Sequence, residues 1–332
     1  MKFCYEKFKN DRYDLCTQDE LAEKSGVSVS IIKNMESGRK KVSYGDENLK
    51  RMCDTLNLDV SDYWKRDTKT ITCFNKKGGV GKTSLVCNLA VTLVSEFDKR
   101  VLIVDCDSQR NASQSFGMRE IDGYEEKNIY KCFMNRDSIE NYIYKTDYMG
   151  LDIVVGHPDI ANIDSLVANK PYREERFKDV LKDVKEKGEY DYIICDTAPL
   201  LSLFNNIILR ATDGIIIPFE PEAFALTGVG EVMTYVKELQ EEEAFSKGEN
   251  TVHVLGVVIN KYDKSTKISK AITEVVQELY PKKVFKTIIS NSVVVKNAQS
   301  EKLPICINYS NTPTYNSLIE LAREVCDGIN KL

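Results

Sequence analysis

The stretch Ile71-Thr72-Cys73-Phe74-Asn75-Lys76-Lys77-Gly78-Gly79-Val80-Gly81-Lys82-Thr83 carries the densest chemistry in the chain. An apolar, β-branched run leads into a glycine-rich turn, and the pattern from Ser84 to Val94 is that of a helix. Glycines let successive backbone N–H groups close on an anion, and a helix that starts there adds its positive end. The residues from Gly78 through Val80 and Gly81 to Ser84 would form such a cradle. Lys82 would reach the β- and γ-phosphates of a nucleotide, and the Thr83 hydroxyl would ligate Mg2+. The pattern Gly-x-x-x-x-Gly-Lys-[Ser/Thr] is met except at its first glycine, where Lys76 stands.

Two further apolar runs end in carboxylates. Val101-Leu102-Ile103-Val104 is followed by Asp105-Cys106-Asp107, and Tyr192-Ile193-Ile194-Cys195 by Asp196. In open α/β sheets, ligands sit beyond the carboxyl ends of the strands. Asp105, Asp107 and Asp196 are therefore placed to hold metal and water. On spacing alone, Asp105 and Asp107 could also simply cap a strand end.

The elements that must position these groups can be read from the same periodicity. Apolar runs at 71–74, 101–104, 151–155, 192–195, 214–218, 252–259 and 284–289 alternate with amphipathic stretches. Continuous apolar strands of this kind, each followed by a helical pattern, predict a parallel sheet covered on both faces. Residues 1–67 show no strand signal and read as short helices. The expected organisation is an α/β domain at 68–332 preceded by a small all-α domain at 1–67. With 42 % hydrophobic and 29 % charged residues and a net charge of −5, the composition excludes disorder as the main state. The ten cysteines include no Cys-x-x-Cys pair, and two histidines cannot complete a zinc cluster. Buried free thiols in a reducing cytosol are expected instead. No apolar run approaches the ~20 residues of a membrane span.

Within 1–67, Thr17 to Arg39 has the form of a helix-turn-helix. Leu21 and Ala22 share one face of a first helix that Gly26 ends; Ser28 can cap a second, with Ile32 and Met35 turned inward. The segment's 13 basic and 13 acidic residues cancel, so only the cluster Lys33, Arg39, Lys40 and Lys41 offers a positive surface. A helix-turn-helix used for protein contacts is the other reading. Residues 251–300 hold eight lysines against Asp263, Glu274 and Glu278. Such a patch suits phosphate contacts without base readout, although charge runs also form solvated helix faces. Lys264, Lys267 and Lys270 share a face if their segment is helical.

Lys77-Gly78-Gly79-Val80-Gly81-Lys82-Thr83 resembles the deviant Walker A motif of the ParA/MinD superfamily of P-loop ATPases. The resemblance implies ATP and Mg2+, and a homodimer in which Lys77 crosses to the partner's nucleotide and acts with Lys82 in catalysis. Asp105 to Asn111 resembles the family's Asp-x-Asp-Pro-Gln-Gly-Asn segment, where the second aspartate, here Asp107, positions the attacking water. Ser108 and Arg110 replace its proline and glycine. Asp196 falls where the Walker B aspartate holds Mg2+ through a water, with Asp105 as a further metal candidate. Pro218, Glu222, Ala225, Leu226 and Gly228 match a strand-then-helix segment. Asn260 and Ser290 occupy the places of the adenine-binding loops, a turn asparagine being the competing reading of Asn260.

The N-terminal segment resembles the Cro/C1-repressor-type domain over about residues 15–64. That implies a recognition helix at Ser28–Glu36, with Ser28, Val29, Ser30, Lys33 and Asn34 facing bases and Gln18, Arg39, Lys40 and Lys41 meeting phosphates. Together the resemblances imply a cytoplasmic, nucleoid-associated DNA-partition ATPase with weak intrinsic turnover. It would bind DNA non-specifically as an ATP dimer, in part through Lys264, Lys267 and Lys270, respond to a ParB-like partner, and bind a specific operator. An acidic C-terminal stretch argues against membrane attachment. The alternative is a transcriptional regulator that uses nucleotide only as a dimerisation switch.

Overall fold

All seven apolar runs form strands of one sheet in the computed structural model, which describes residues 2–43, 45–118, 121–223, 225–247, 252–301 and 303–332. The strands are β1 (Lys2–Phe3), β2 (Trp64–Lys65), β3 (Lys69–Cys73), β4 (Val101–Cys106), β5 (Tyr144–Lys145), β6 (Leu151–Val154), β7 (Tyr192–Thr197), β8 (Gly214–Phe219), β9 (His253–Tyr262) and β10 (Val284–Ser290). β3 to β10 make one sheet in the order β10-β9-β8-β3-β7-β4-β6-β5. Every pairing in it is parallel except that of β5 with β6. Contacts divide the chain into two compact units: Met1–Asp67 with Lys187–Glu189, and Thr68–Glu186 with Tyr190–Leu332.

Side chains of alternate strand residues go to opposite faces of the sheet. Ile71, Ile103 and Ile194 pack under the helices Lys82–Phe97 and Pro313–Ile329, while Leu102, Val104 and Ile193 fill the opposite layer. Both layers are buried, so the strands read as unbroken apolar runs. At the open edge, Glu324 accepts from the N–H groups of Lys286 and Thr287 at 2.8 and 2.9 Å. This charged cap blocks strand addition along β10.

The N-terminal unit holds α1 (Tyr5–Leu15), α2 (Gln18–Ser25), α3 (Val29–Glu36) and α4 (Glu47–Leu56). A capping box opens α2: the Thr17 hydroxyl accepts from the Glu20 N–H, and the Thr17 N–H donates to Glu20 Oε2. Leu21, Ile32, Met35, Leu49 and Met52 are fully buried. Two expectations need correction. The unit is not purely helical, because β1 and β2 pair antiparallel and set Phe3 beside Trp64. Ser28 stands at the N-cap of α3 but makes no capping bond; its hydroxyl lies 3.3 Å from that of Ser30.

A buried ion pair sets α3 against α1. Arg12 donates to both Glu36 oxygens, at 2.7 and 2.9 Å, and Gln18 Nε2 donates to Glu36 Oε2 at 2.5 Å. Removing one member of such a network strands the others and costs about 3–5 kcal/mol. Glu36→Ala is expected to destabilise this unit by that amount. Denaturant unfolding followed by fluorescence of Trp64, the single tryptophan and largely buried, measures it. Replacing Arg12 and Glu36 together with leucine is expected to cost less.

Candidate nucleotide site

The glycine-rich loop leaves β3 and is fastened at its start by Asn75. The Asn75 amide donates to the Pro218 carbonyl at 2.7 Å, and its oxygen accepts from the Lys77 N–H at 2.9 Å. The loop ends at Gly81, which has φ +89° and caps α5 (Lys82–Phe97). A Cβ at Gly81 would lie 2.5 Å from Asn260 Nδ2, so conformation and space both require glycine. Lys82 curls back into the loop, its Nζ 3.0 Å from the carbonyl oxygens of both Asn75 and Lys77. Burial lowers its pKa, and the negative groups around it, Asp196 and Asp107 among them, oppose that shift. A cavity of about 330 Å³ opens beside it, walled in part by Thr83, Ser84, Asp107, Gln109 and Lys261.

The carboxylates divide by their partners. Asp105 on β4 and Asp196 on β7 are register neighbours, and both are fully buried. Neither oxygen of Asp196 has a hydrogen-bond partner within bonding geometry among the described residues. Burial pushes its carboxyl well above the ordinary range, and the charge of Asp105 adds to the effect. An orphaned carboxylate near the Thr83 hydroxyl is the kind of oxygen donor set that Mg2+ takes alongside waters and phosphates. Among the described residues no group of three His, Cys, Asp or Glu side chains could hold a metal unaided.

The expectation of Asp105 as a metal ligand is corrected. Asp105 Oδ2 accepts from the Ser113 N–H and hydroxyl at 2.8 and 2.6 Å, and Oδ1 from the Asp107 N–H at 3.2 Å. Burial still raises its pKa to about 6. Asp105 brackets the loop after β4, whereas Asp107 lines the cavity and accepts from the Gln109 N–H at 2.9 Å.

Other expected contacts also shift. Asn260 donates its amide to the Val80 carbonyl at 2.8 Å, so it braces the loop rather than presenting that amide to a base. Ser290 closes β10 opposite Tyr262. Lys261 and Lys283 leave the expected basic patch: their ammonium groups donate to the carbonyls of Gly79 and Val254. Lys264 precedes the helix Lys267–Leu279, so only Lys267 and Lys270 lie on it; all three are exposed. In the N-terminal unit Ser28, Ser30, Lys33, Asn34 and Arg39 are exposed and Val29 half-buried, while Gln18 spends its amide on Glu36. A larger hollow of about 680 Å³ beside Asp46, Asp54 and Asp59 has an acidic lining that does not suit a phosphate.

Residues 68–249 match the family described as an AAA domain, and residues 16–63 one described as a helix-turn-helix. The sporulation initiation inhibitor protein Soj of Bacillus subtilis is 32 % identical over 258 residues, 77 % of this chain and 98 % of Soj. The chromosome partitioning protein ParA of Myxococcus xanthus is 31 % identical over 265 residues, 79 % and 89 % of the two chains. The chain belongs to the ParA/MinD superfamily. Solved structures agree in fold: apo McdA from Cyanothece superimposes with a TM-score of 0.67 at 19 % identity, covering 78 % of this chain and 99 % of McdA. The septum site-determining protein MinD from Pyrococcus horikoshii, complexed with Mg-ADP, gives 0.62 at 23 % identity, covering 78 % and 96 %. The protein is thus a P-loop ATPase of the ParA/Soj partition type, with a helix-turn-helix DNA-binding domain.

Three residues of this ParA/MinD site carry contacts that the motifs alone do not announce. Asn75 clasps β8, Lys261 lies over the loop and pairs with Glu220 at 3.3 Å, and Glu222 holds Lys77 at 2.6 Å. Asn75 adjoins the motif and Lys261 adjoins Asn260, so position was their only signal. Glu222 lies 145 residues from Lys77, and only the return of β8 beside β3 joins them.

Proposed function

We propose that the chain is a DNA-partition ATPase whose ATP-bound dimer holds DNA and releases it on hydrolysis. The observation that carries this reading is the convergence of Lys82, Thr83, Asp107 and Asp196 at the end of one parallel sheet, around a glycine loop. Lys82 neutralises the β- and γ-phosphates. Thr83, and Asp196 through a water, would hold Mg2+, which would add positive charge on the phosphate oxygens. Asp107 orients the attacking water from the cavity wall. Lys77 crosses to the partner's nucleotide, so the site is complete only in the dimer, which gives weak turnover in the isolated chain.

Two DNA contacts serve different ends. Ser28, Ser30, Lys33 and Asn34 present a recognition surface for a specific operator, with Arg39 on the phosphates. Lys264, Lys267 and Lys270 supply sequence-independent contacts in the ATP dimer. A ParB-like partner accelerates hydrolysis, and the protein works on the nucleoid in the cytoplasm.

The test is binding of the full chain to random-sequence duplex at fixed salt, with ATP and Mg2+ or with ADP. ATP-dependent binding that survives Lys33→Glu with Arg39→Glu is expected. Binding that ignores nucleotide and disappears in that variant supports a transcriptional regulator instead. Asp107→Ala is expected to keep ATP and DNA binding while lowering phosphate release by about 10²–10⁴-fold. Normal turnover in that variant rejects the role of Asp107 in orienting water.

A further inference from the structure

The loop that carries Asp107 contains a backbone conformation that its residue should resist. Arg110 has φ +58°, in the left-handed region. For a residue with a Cβ this conformation is strained, and such strain persists only where the surroundings hold it. Arg110 also closes the turn that presents Asp107: its N–H donates to the Asp107 carbonyl at 3.0 Å, and α6 (Asn111–Ser115) follows at once.

A strap formed by residues 121–128 packs over Arg110. The Arg110 guanidinium lies over the Tyr124 ring, 4.2 Å from its centroid, with the arginine largely buried. The strap has anchors besides this contact. Asn128 Nδ2 donates to the carbonyls of Tyr124 and Glu125 at 2.6 and 3.1 Å. Glu125 Oε2 meets His157 Nε2 at 3.2 Å, and the His157 ring stacks on Tyr130 with centroids 5.5 Å apart. Behind the loop, a Cβ on Gly156 would come within 2.9 Å of the Asp107 carbonyl oxygen, so there is no slack on that side either.

We propose that Arg110 and Tyr124 are positioning residues for Asp107. Their stack replaces the freedom of a glycine with a clamp that sets the orientation of the Asp107 turn. The inference rests on the reading that Asp107 orients water for ATP hydrolysis. It makes a specific claim about this chain: Tyr124 matters because residue 110 is not glycine.

The experiment measures kcat, KM and ATP affinity of the full chain with Mg2+ and DNA, together with amide exchange over residues 107–113. Arg110→Ala and Tyr124→Ala are each expected to lower kcat about tenfold, with KM and ATP affinity within about twofold. Tyr124→Phe keeps the ring and is expected to keep kcat. Arg110→Gly is expected to restore kcat to within about threefold of the parent, and in that background Tyr124→Ala should have no further effect. Both alanine variants should speed exchange over 107–113. Unchanged exchange overturns the clamp, whether or not the chain hydrolyses ATP. Faster exchange with unchanged kcat, or an equal loss from Tyr124→Ala in both backgrounds, overturns the positioning role. Parent turnover that does not depend on Asp107 instead strikes the functional reading beneath it.

Discussion

Lys82→Ala is expected to weaken ATP binding at least about 100-fold, equivalent to about 2.7 kcal/mol. Two losses combine. A charge-assisted contact to phosphate contributes about 1.5–3 kcal/mol. The same ammonium also ties together the two ends of the loop through the carbonyls of Asn75 and Lys77. Without it, the buried Asp196 and Asp107 lose an opposing positive charge, and the cavity becomes hostile to a polyphosphate. Lys82→Arg is not expected to rescue binding, because a planar fork cannot enter a pocket cut for a point charge. Titration calorimetry with ATP and Mg2+ measures the change, with circular dichroism to check the fold. Affinity within threefold of the parent removes Lys82 from the phosphate contacts.

The legible part of this protein was the part governed by periodicity and local motif. Strands buried on both faces have no polar alternation, so each appeared as a continuous apolar run bounded by turn residues. β1, β2 and β5 have two residues each and no run to detect. The loop from Lys77 to Thr83 was legible because its geometry depends on neighbours in sequence. The partners of Asp105, Asn260 and Gln18 were not, because each depends on a tertiary approach. Asp105 looked like a ligand until Ser113 and the Asp107 N–H took its oxygens. Asn260 looked like a base reader until the close approach of Gly81 put the Val80 carbonyl within reach of its amide. Gln18 looked like a phosphate contact until α3 brought Glu36 to it. In each case a polar side chain at a plausible place satisfied a buried partner first.

Lys77→Ala is expected to separate binding from catalysis. In the single chain Lys77 Nζ lies 2.6 Å from Glu222 Oε2, with side-chain exposures of 37 % and 55 %. Lys77 holds the Glu222 carboxyl below its usual range. Solvent screens so exposed a pair, and such pairs contribute about 0–1 kcal/mol. The lysine is therefore tethered but easily released, which suits the proposed move to a partner's nucleotide. Lys77→Ala is expected to leave ATP affinity within about threefold, because Lys82 and the loop N–H groups remain. ATP-dependent dimerisation should be lost, and phosphate release should fall about 10³-fold or more, the scale of an arginine finger. Light scattering and phosphate release measure the two effects. Mixing decides whether the lysine acts across the interface. The Asp107→Ala chain binds ATP and retains Lys77, whereas the Lys77→Ala chain retains Asp107, so a mixed dimer contains one complete site. Activity returning on mixing two inactive variants is the expected result. If the mixture stays inactive while the two chains associate with ATP, Lys77 acts within its own subunit, and the cross-subunit assignment is lost.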